Sequence, residues 1–376
     1  MRIAIVHSFY VSATPSGENL AVLREAEALT NAGHEVEIIA RHTDELAMSR
    51  LYLVKSAVRV ATGWGGDPTD ELRNFNPDVT HVHNLFPNIG TYWLNNWAGP
   101  IVATLHNFRP LCANGILFRE GNTCTECPDG STLSALKHAC YRDSKLASLP
   151  IAIANAGGLK RNQLLQRADK VVVLSERAKS TYSAYGLSSE RISVLPNGLN
   201  INPPTQTVMP DARTWIGIGR LAPEKGFADL ASIWPRDRDL QIIGTGPDAD
   251  LITALARPNV ALRRPLENNA LLDAIPNFAG LVLPSKWFEG LPTVVLEAFG
   301  SGIPVIARDG NSASDFLLKH EPAWVYDGTA ASLVMAMESI ESRGTETRAR
   351  ARQLFDEEFS LGIWVVRLEA LFASLL

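Results

Sequence analysis

The stretch Val282–Ile306, VLPSKWFEGLPTVVLEAFGSGIPVI, decides the fold. The apolar run from Gly280 to Leu283 reads as a buried strand. A polar loop follows, then a short helix from Thr293 to Phe299, then a Gly-Pro turn into a second apolar run, Pro304 to Ala307. Two carboxylates, Glu289 and Glu297, bracket the junction of loop and helix. A helix N-terminus offers unpaired backbone N–H groups and the positive end of a dipole, which suits a phosphate. Carboxylates beside it accept hydrogen bonds from hydroxyls. The pair of features suits a ligand that carries both, as a nucleotide sugar does.

Working outward, the same alternation fills the second half of the chain. Strands are expected at Thr214–Gly219, Asp239–Ile243 and Val260–Arg263, with helices between them. Two of the intervening loops carry chemistry. In GRLAPEKG (Gly219–Gly226), Arg220 offers a planar fork of donors and Lys225 a mobile point charge, both suited to a diphosphate. In IGTGPD (Ile243–Asp248), Gly244 and Gly246 permit close approach of backbone to ligand. Either loop alone is also explained as solvated charge or a tight turn; their succession at strand C-termini is the stronger signal.

Upstream, LPNGLNINPPTQTVMPDA (Leu195–Ala212) is rich in proline and marks a domain boundary. Before it the alternation runs again: strands at Ile3–Val6, Glu35–Ala40, Asp78–His83, Ile101–His106 and Lys170–Ser175. A helix covers Gly17–Ala32, with Leu20, Leu23, Ala26 and Ala28 as its apolar positions, and another starts near Leu46. The expected fold is therefore α/β, with two doubly wound, Rossmann-like parallel sheets. Ligands gather at the carboxyl ends of strands in such sheets. That places the turn at Ser16-Gly17 and His106 near a site, although a lone strand histidine is as often structural. His81 and His83 share a strand face and read as packed, hydrogen-bonded neighbours, not metal ligands.

All four cysteines, Cys112, Cys124, Cys127 and Cys140, fall in a turn-rich insert of about 109–144. Four thiolates close a tetrahedral zinc site and staple a loop with little core of its own. Four free or redox-active thiols are the alternative, since only one Cys-x-x-Cys pair is present. Two segments, Met48–Trp64 and Leu159–Arg167, combine apolar residues with Arg50, Lys55, Arg59, Lys160, Arg161 and Arg167. They fit an anionic membrane surface, and equally a helix with one buried and one solvated face.

At 376 residues the chain has the length of roughly two to three domains. Its 46% hydrophobic and 20% charged content is that of a globular protein, and a net charge of −5 argues against a nucleic-acid partner. The first residues, MRIAIVHS, form a strand with no signal-peptide pattern, and no run approaches the ~18 apolar residues of a membrane span. The expected location is cytoplasmic, with peripheral membrane association if the basic segments dock.

Taken together, Arg220 and Lys225 within GRLAPEKG, the G-x-G-P at Gly244–Pro247, and PS…EGLPTVVLEAFGSGIPVIA resemble glycosyltransferase family 4, retaining nucleotide-sugar transferases of the GT-B fold. GHEVEII, DVTHVHN, TLHN and VVVLSE…ISVLPNG extend the resemblance over most of the chain. It implies an acceptor-binding domain over 1–197, a donor-binding domain over 198–357 facing it across a cleft, and a helix over 358–376 returning to the first domain. It also implies roles. Glu297 would accept from the nucleotide ribose, and Glu289 would lie near the donor sugar's hydroxyls. Backbone at Gly17, Gly244, Gly246, Gly290, Leu291 and Thr293 would meet the donor. Arg220 and Lys225 would neutralise the leaving diphosphate in place of a metal, so no catalytic metal is expected, and His106 would approach the reacting sugar. The acceptor would be a glycan or lipid-linked saccharide of a bacterial surface polysaccharide such as lipopolysaccharide. Ser16-Gly17 replaces a commoner Gly pair, and Arg264 stands where a Gly commonly precedes the base-binding loop. Asp309-Gly310-Asn311 replaces a commoner Gly-Gly sequence, and the cysteine insert belongs to a subset of the family. A nucleotide-sugar epimerase on the same fold, or a non-catalytic nucleotide-sugar or zinc-binding scaffold, is the alternative.

Overall fold

The computed structural model describes residues 1–12, 17–202, 213–288 and 290–376. Ser16, Glu289 and residues 203–212 of the proline-rich linker lie outside the described residues. The chain divides into two compact units. One comprises Met1–Leu117, Cys124–Pro196 and Val365–Leu376; the other comprises Phe118–Thr123 and Asn197–Trp364.

The first unit is built on a parallel sheet of β1 (Arg2–Phe9), β2 (Glu35–His42), β3 (Val79–Asn84) and β4 (Ile101–Leu105). After a short hairpin, β5 (Phe118–Arg119) with β6 (Asn122–Thr123), the sheet is completed by β7 (Lys170–Val173) and β8 (Ile192–Val194). The order is β2-β1-β3-β4-β7-β8. β1 is a central strand with helices over both faces, which is why Ile3, Ala4, Ile5 and Val6 are all closed to solvent rather than alternating. In the second unit, β9 (Thr214–Ile218), β10 (Asp239–Ile243), β11 (Val260–Arg263), β12 (Leu281–Leu283), β13 (Val305–Arg308) and β14 (Val325–Tyr326) take the order β11-β10-β9-β12-β13-β14. Its core packs Trp215, Trp234, Phe227, Val295, Phe299 and Ile306 at no more than 2% exposure.

Each sheet reverses its winding once, between β1 and β3 in the first unit and between β9 and β12 in the second. At such a point the loops leaving neighbouring strands diverge and open a crevice at the carboxyl edge. The two units therefore each present one natural binding edge.

Two expectations need correction. In the helix Gly17–Asn31 the buried positions are Val22, Glu25, Ala28 and Leu29, while Leu20 and Leu23 are exposed. The face is rotated because Glu25 is drawn inward by two histidines. The helix expected from Leu46 is two helices, Thr43–Ala47 and Tyr52–Thr62, and the second ends on Gly63 in a left-handed cap. In the terminal segment a helix, Leu361–Ala373, lies within the expected 358–376 and follows a separate helix, Thr345–Glu358. From Val365 on, the last helix belongs to the first unit, where Glu369 meets His34 at 2.7 Å and Phe372 packs edge-on against His81.

Candidate active site

In the second unit the loop after β9 wraps onto its neighbours through backbone alone. Gly219 N donates to Ile243 O (3.1 Å), Leu221 N to Thr245 O (2.8 Å) and Asp248 N to Leu221 O (3.0 Å). A Cβ on Gly244 would stand 1.9 Å from the Gly219 carbonyl oxygen, and one on Gly246 would stand 2.2 Å from that of Leu221. The glycines of IGTGPD thus serve loop-to-loop contact, a sufficient reason for both without any ligand. On the other side Gly226, at φ +73°, lies so close to the Pro284 carbonyl that a Cβ would stand 2.2 Å from it, and Lys286 N donates to Glu224 O at 2.9 Å. The Arg220–Lys225 loop is thereby seated across the β9/β12 switch point.

Its side chains are held in turn. Arg220 donates to the buried Glu224 carboxylate, and the Lys225 Nζ lies 5.2 Å from the Trp287 ring centroid. Arg220 keeps 61% of its side-chain surface open, so its remaining donors face solvent. Three residues beyond Trp287 the chain reaches Gly290, Leu291 and the helix Thr293–Gly300. Among the described residues no side chain caps that helix; its N-cap is Pro292, and its first turn holds no acid. Its first amide bond runs from Val295 N to Pro292 O. An uncapped N-terminus beside an arginine and a lysine is a place for an anion. Glu297, one turn on, is buried at 8% exposure.

The next helix start is closed by contrast. Asn311 forms a capping box with Ser314, and its amide also donates to Ser285 O (2.9 Å) and Arg308 O (2.8 Å). The departure at Asp309-Gly310-Asn311 therefore ties the β13 loop to the β12 loop. Nearby, Asp229 bridges Lys286 (3.1 Å) and Arg308 (2.9 Å). Burial pushes its carboxyl up, and the two cations outweigh burial and hold it below the ordinary range. Sequence reasoning missed this bridge because its members come from a helix, a loop and a strand far apart in the chain.

In the first unit the carboxyl edge encloses a cavity of about 160 Å³. Glu18, Arg59, His83, Asn84, His106 and Arg109 supply its polar wall. Phe86, Ile89, Leu105, Ile151 and Leu165 are among the apolar residues lining the rest. Burial raises the Glu18 carboxyl to about 7, with Arg109 and His83 opposing. His106 follows β4 directly; its Nε2 lies 2.9 Å from His83 Nδ1, and the rings are stacked. Burial, then His83 and His7, hold its imidazole well below the ordinary range, so it is neutral near pH 7. Behind it, Glu25 meets His81 Nδ1 in a short contact and His83 Nε2 at 3.0 Å, and His81 Nε2 lies 2.7 Å from Thr104 Oγ1. His81 and His83 are buried and share one carboxylate. Glu25 left a signal that was overlooked: it occupies an apolar position of its helix, where a carboxylate needs a partner. Gly17 begins that helix with open space around the position of a Cβ, so packing does not require a glycine there.

None of the four cysteines is in a disulfide. They gather in the insert: burial, then Cys112, Cys140 and Cys124, raises the Cys127 thiol to about 12. Cys112 Sγ lies 2.8 Å from Asn114 Oδ1. Among the described residues, only Glu25, His81 and His83 bring three ligand atoms within 4.8 Å of one another, so the thiols stand farther apart than in a closed tetrahedral site.

Comparison with known proteins decides the family. Residues 15–202 match the model of Glycosyltransferase Family 4, and residues 212–342 match that of Glycosyl transferases group 1. The chain belongs to glycosyltransferase family 4. A GDP-mannose-dependent alpha-mannosyltransferase of Mycolicibacterium smegmatis is 26% identical over 84% of this chain and 82% of its own length. A lipopolysaccharide 1,6-galactosyltransferase of Salmonella typhimurium is 28% identical over 43% of this chain and 48% of its own. Among solved structures, HepE of Anabaena in complex with UDP superposes with a TM-score of 0.62 at 14% identity, with full coverage of both chains. The lipopolysaccharide outer core galactosyltransferase WaaB gives 0.62 at 19%, again over both chains in full. The two parallel sheets are those of the GT-B fold, and this family 4 glycosyltransferase is a transferase of sugars. Among its described residues no helix is long and apolar enough to cross a membrane.

Proposed function

We propose that this glycosyltransferase moves a sugar from a nucleoside-diphosphate sugar to an acceptor hydroxyl with retention of anomeric configuration. The observation that carries the reading is the Thr293 helix end, uncapped among the described residues, which follows β12 while the Arg220–Lys225 loop follows β9 at the same switch point. The relatives support it: one is GDP-mannose-dependent and one solved neighbour is a complex with UDP. The helix amides at Gly290, Leu291 and Thr293 would take phosphate or sugar oxygens, and Glu297 would accept from the ribose hydroxyls. Arg220 and Lys225 would carry the charge that develops on the departing diphosphate. The departing phosphate oxygen would take the acceptor proton, so bond breaking and bond making occur on one face. Glu289, outside the described residues, would contact the donor sugar, and His106, at the cavity of the first unit, would meet a sugar hydroxyl. A thermal-shift panel of uridine, guanosine, adenosine and thymidine diphosphates tests the donor site. Stabilisation by at least one, lost in Glu297→Ala, is expected; no shift with any of them contradicts it.

Two further parts follow from the same reading. The acceptor would be a lipid-linked or polymeric saccharide of a surface glycan, handled at an anionic membrane face. The helix Tyr52–Thr62 turns Leu53, Val54, Lys55 and Val58 to solvent, and the helix Lys145–Ala154 packed beside it exposes Leu146 and Ile153. Outward-facing aliphatic residues with basic neighbours are what an interfacial helix presents. Arg59 is turned inward to the cavity, and Arg167 is spent on Trp97 O and Gly99 O, so neither serves that surface. The four thiols would close on one zinc ion, which would draw them inward and staple the insert. No divalent metal would be needed at the donor, because Arg220 and Lys225 occupy that electrostatic role.

A further inference from the structure

A chain of polar side chains runs through the first unit from the buried Glu25 to the wall of the cavity. Its links are a charge contact, Glu25 Oε2 to His83 Nε2 at 3.0 Å, which is not aligned as a hydrogen bond, and a hydrogen bond between His83 Nδ1 and His106 Nε2 at 2.9 Å. Among the described residues no hydrogen bond reaches the second nitrogen of His106, Nδ1, and the ring lines the cavity. An ionised carboxylate only accepts. The proton of His83 therefore belongs on Nε2, facing Glu25; placing it on Nδ1 would set a buried lone pair against a buried anion. His83 Nδ1 is then an acceptor, and His106 must donate to it from Nε2. The consequence at the cavity is a bare Nδ1, able to accept from a hydroxyl and unable to donate.

We propose that Glu25 and His83 are positioning residues for His106: by this chain they fix its tautomer and ring plane, so that it presents an acceptor to a hydroxyl of a sugar ligand. The inference rests on the reading that His106 meets a sugar, but the tautomer itself does not. Glu25 has a second function in the same place, because its other oxygen holds His81, which accepts from Thr104 on β4. The carboxylate thus fixes β3 to β4 at the position from which His106 emerges.

The test uses the full-length chain with ring-¹⁵N-labelled histidine, and the His106 signals are assigned by their loss in His106→Gln. Long-range ¹H–¹⁵N correlation at neutral pH should show His106 with a protonated Nε2 and a pyridine-type Nδ1. In Glu25→Leu the anion that holds the proton on His83 Nε2 is gone, so His106 should also populate the tautomer protonated on Nδ1. Transfer kcat/KM should then fall about 10-fold to 100-fold, the cost of one mispaired buried hydrogen bond. A His106 protonated on Nδ1 in the unsubstituted protein overturns the proposal, and that spectrum needs no variant to fold. A Glu25→Leu protein whose His106 stays wholly in the original tautomer overturns it as well. A correct tautomer in a protein that transfers no sugar counts against the proposed function and leaves the chain of polar contacts standing.

Discussion

A methyl group at Gly244 would stand 1.9 Å from the Gly219 carbonyl oxygen, and backbone on both sides cannot yield as a flexible side chain can. Gly244→Ala should therefore cost about 3 kcal/mol or more in urea unfolding, the range of severe overpacking. A cost under about 0.5 kcal/mol would show that the two loops move apart freely. Lys225 makes no such packing demand. Lys225→Ala should lower kcat by roughly 10²-fold to 10³-fold, as loss of one preorganised charge does, with an unfolding midpoint close to that of the parent. Glu18 allows a test by pH. Its carboxyl is raised from 4.5 to about 7 by burial, so the folded state binds the extra proton between those values. Stability from this group is present below about pH 4.5 and is lost as pH rises through 7. Glu18→Gln should gain stability relative to the parent between pH 5 and pH 7.5, and an unchanged difference across that range would contradict the assignment. At this scale the sequence was only partly legible. Arg220, Lys225 and Glu297 declared themselves by their place after a strand or on a helix start. Glu18, Glu25 and Asp229 did not, because their partners come from distant segments.

Elements read from apolar runs were the most legible: Ile3, Ala4, Ile5 and Val6 of β1 and all of β12 are buried, continuous hydrophobic residues. β8 and β14, of three and two residues, are too short to carry a period, and tertiary pairing alone creates them. The helix Gly17–Asn31 was found but turned wrongly, since hydrophobicity favoured Leu20 and Leu23 over a paired glutamate. Two element-level outcomes are open to measurement. If the helix Tyr52–Thr62 docks on anionic lipid, the double substitution Leu53→Glu, Val54→Glu should abolish flotation with phosphatidylglycerol vesicles at unchanged melting temperature. Retained flotation removes that surface from the account. If the insert closes on zinc, the purified chain should carry one zinc ion per molecule, and Cys127→Ser should release it. Metal-free protein with four reactive thiols would leave the insert held by packing alone.

At the scale of the molecule, two runs of strand and helix separated by prolines already implied two doubly wound units, since a parallel sheet requires a crossover after each strand. The position proposed for the donor site follows from topology: a switch point falls between β9 and β12, and both loops with charged residues leave from those strands. What the sequence did not bring together was the polar interior of the first unit, where Glu18, His83 and His106 line the cavity and Glu25 and His81 lie behind them. The central claim is that the second unit holds a nucleoside-diphosphate sugar whose glycosidic bond is broken with retention. ¹H NMR of the full-length chain incubated with a panel of α-linked nucleotide sugars and a saccharide acceptor reads it directly. The account predicts that one donor is consumed, that its product carries an α-anomeric signal, and that Lys225→Ala leaves the donor intact. A β-anomeric product, an epimerised donor, or no donor consumed would contradict it.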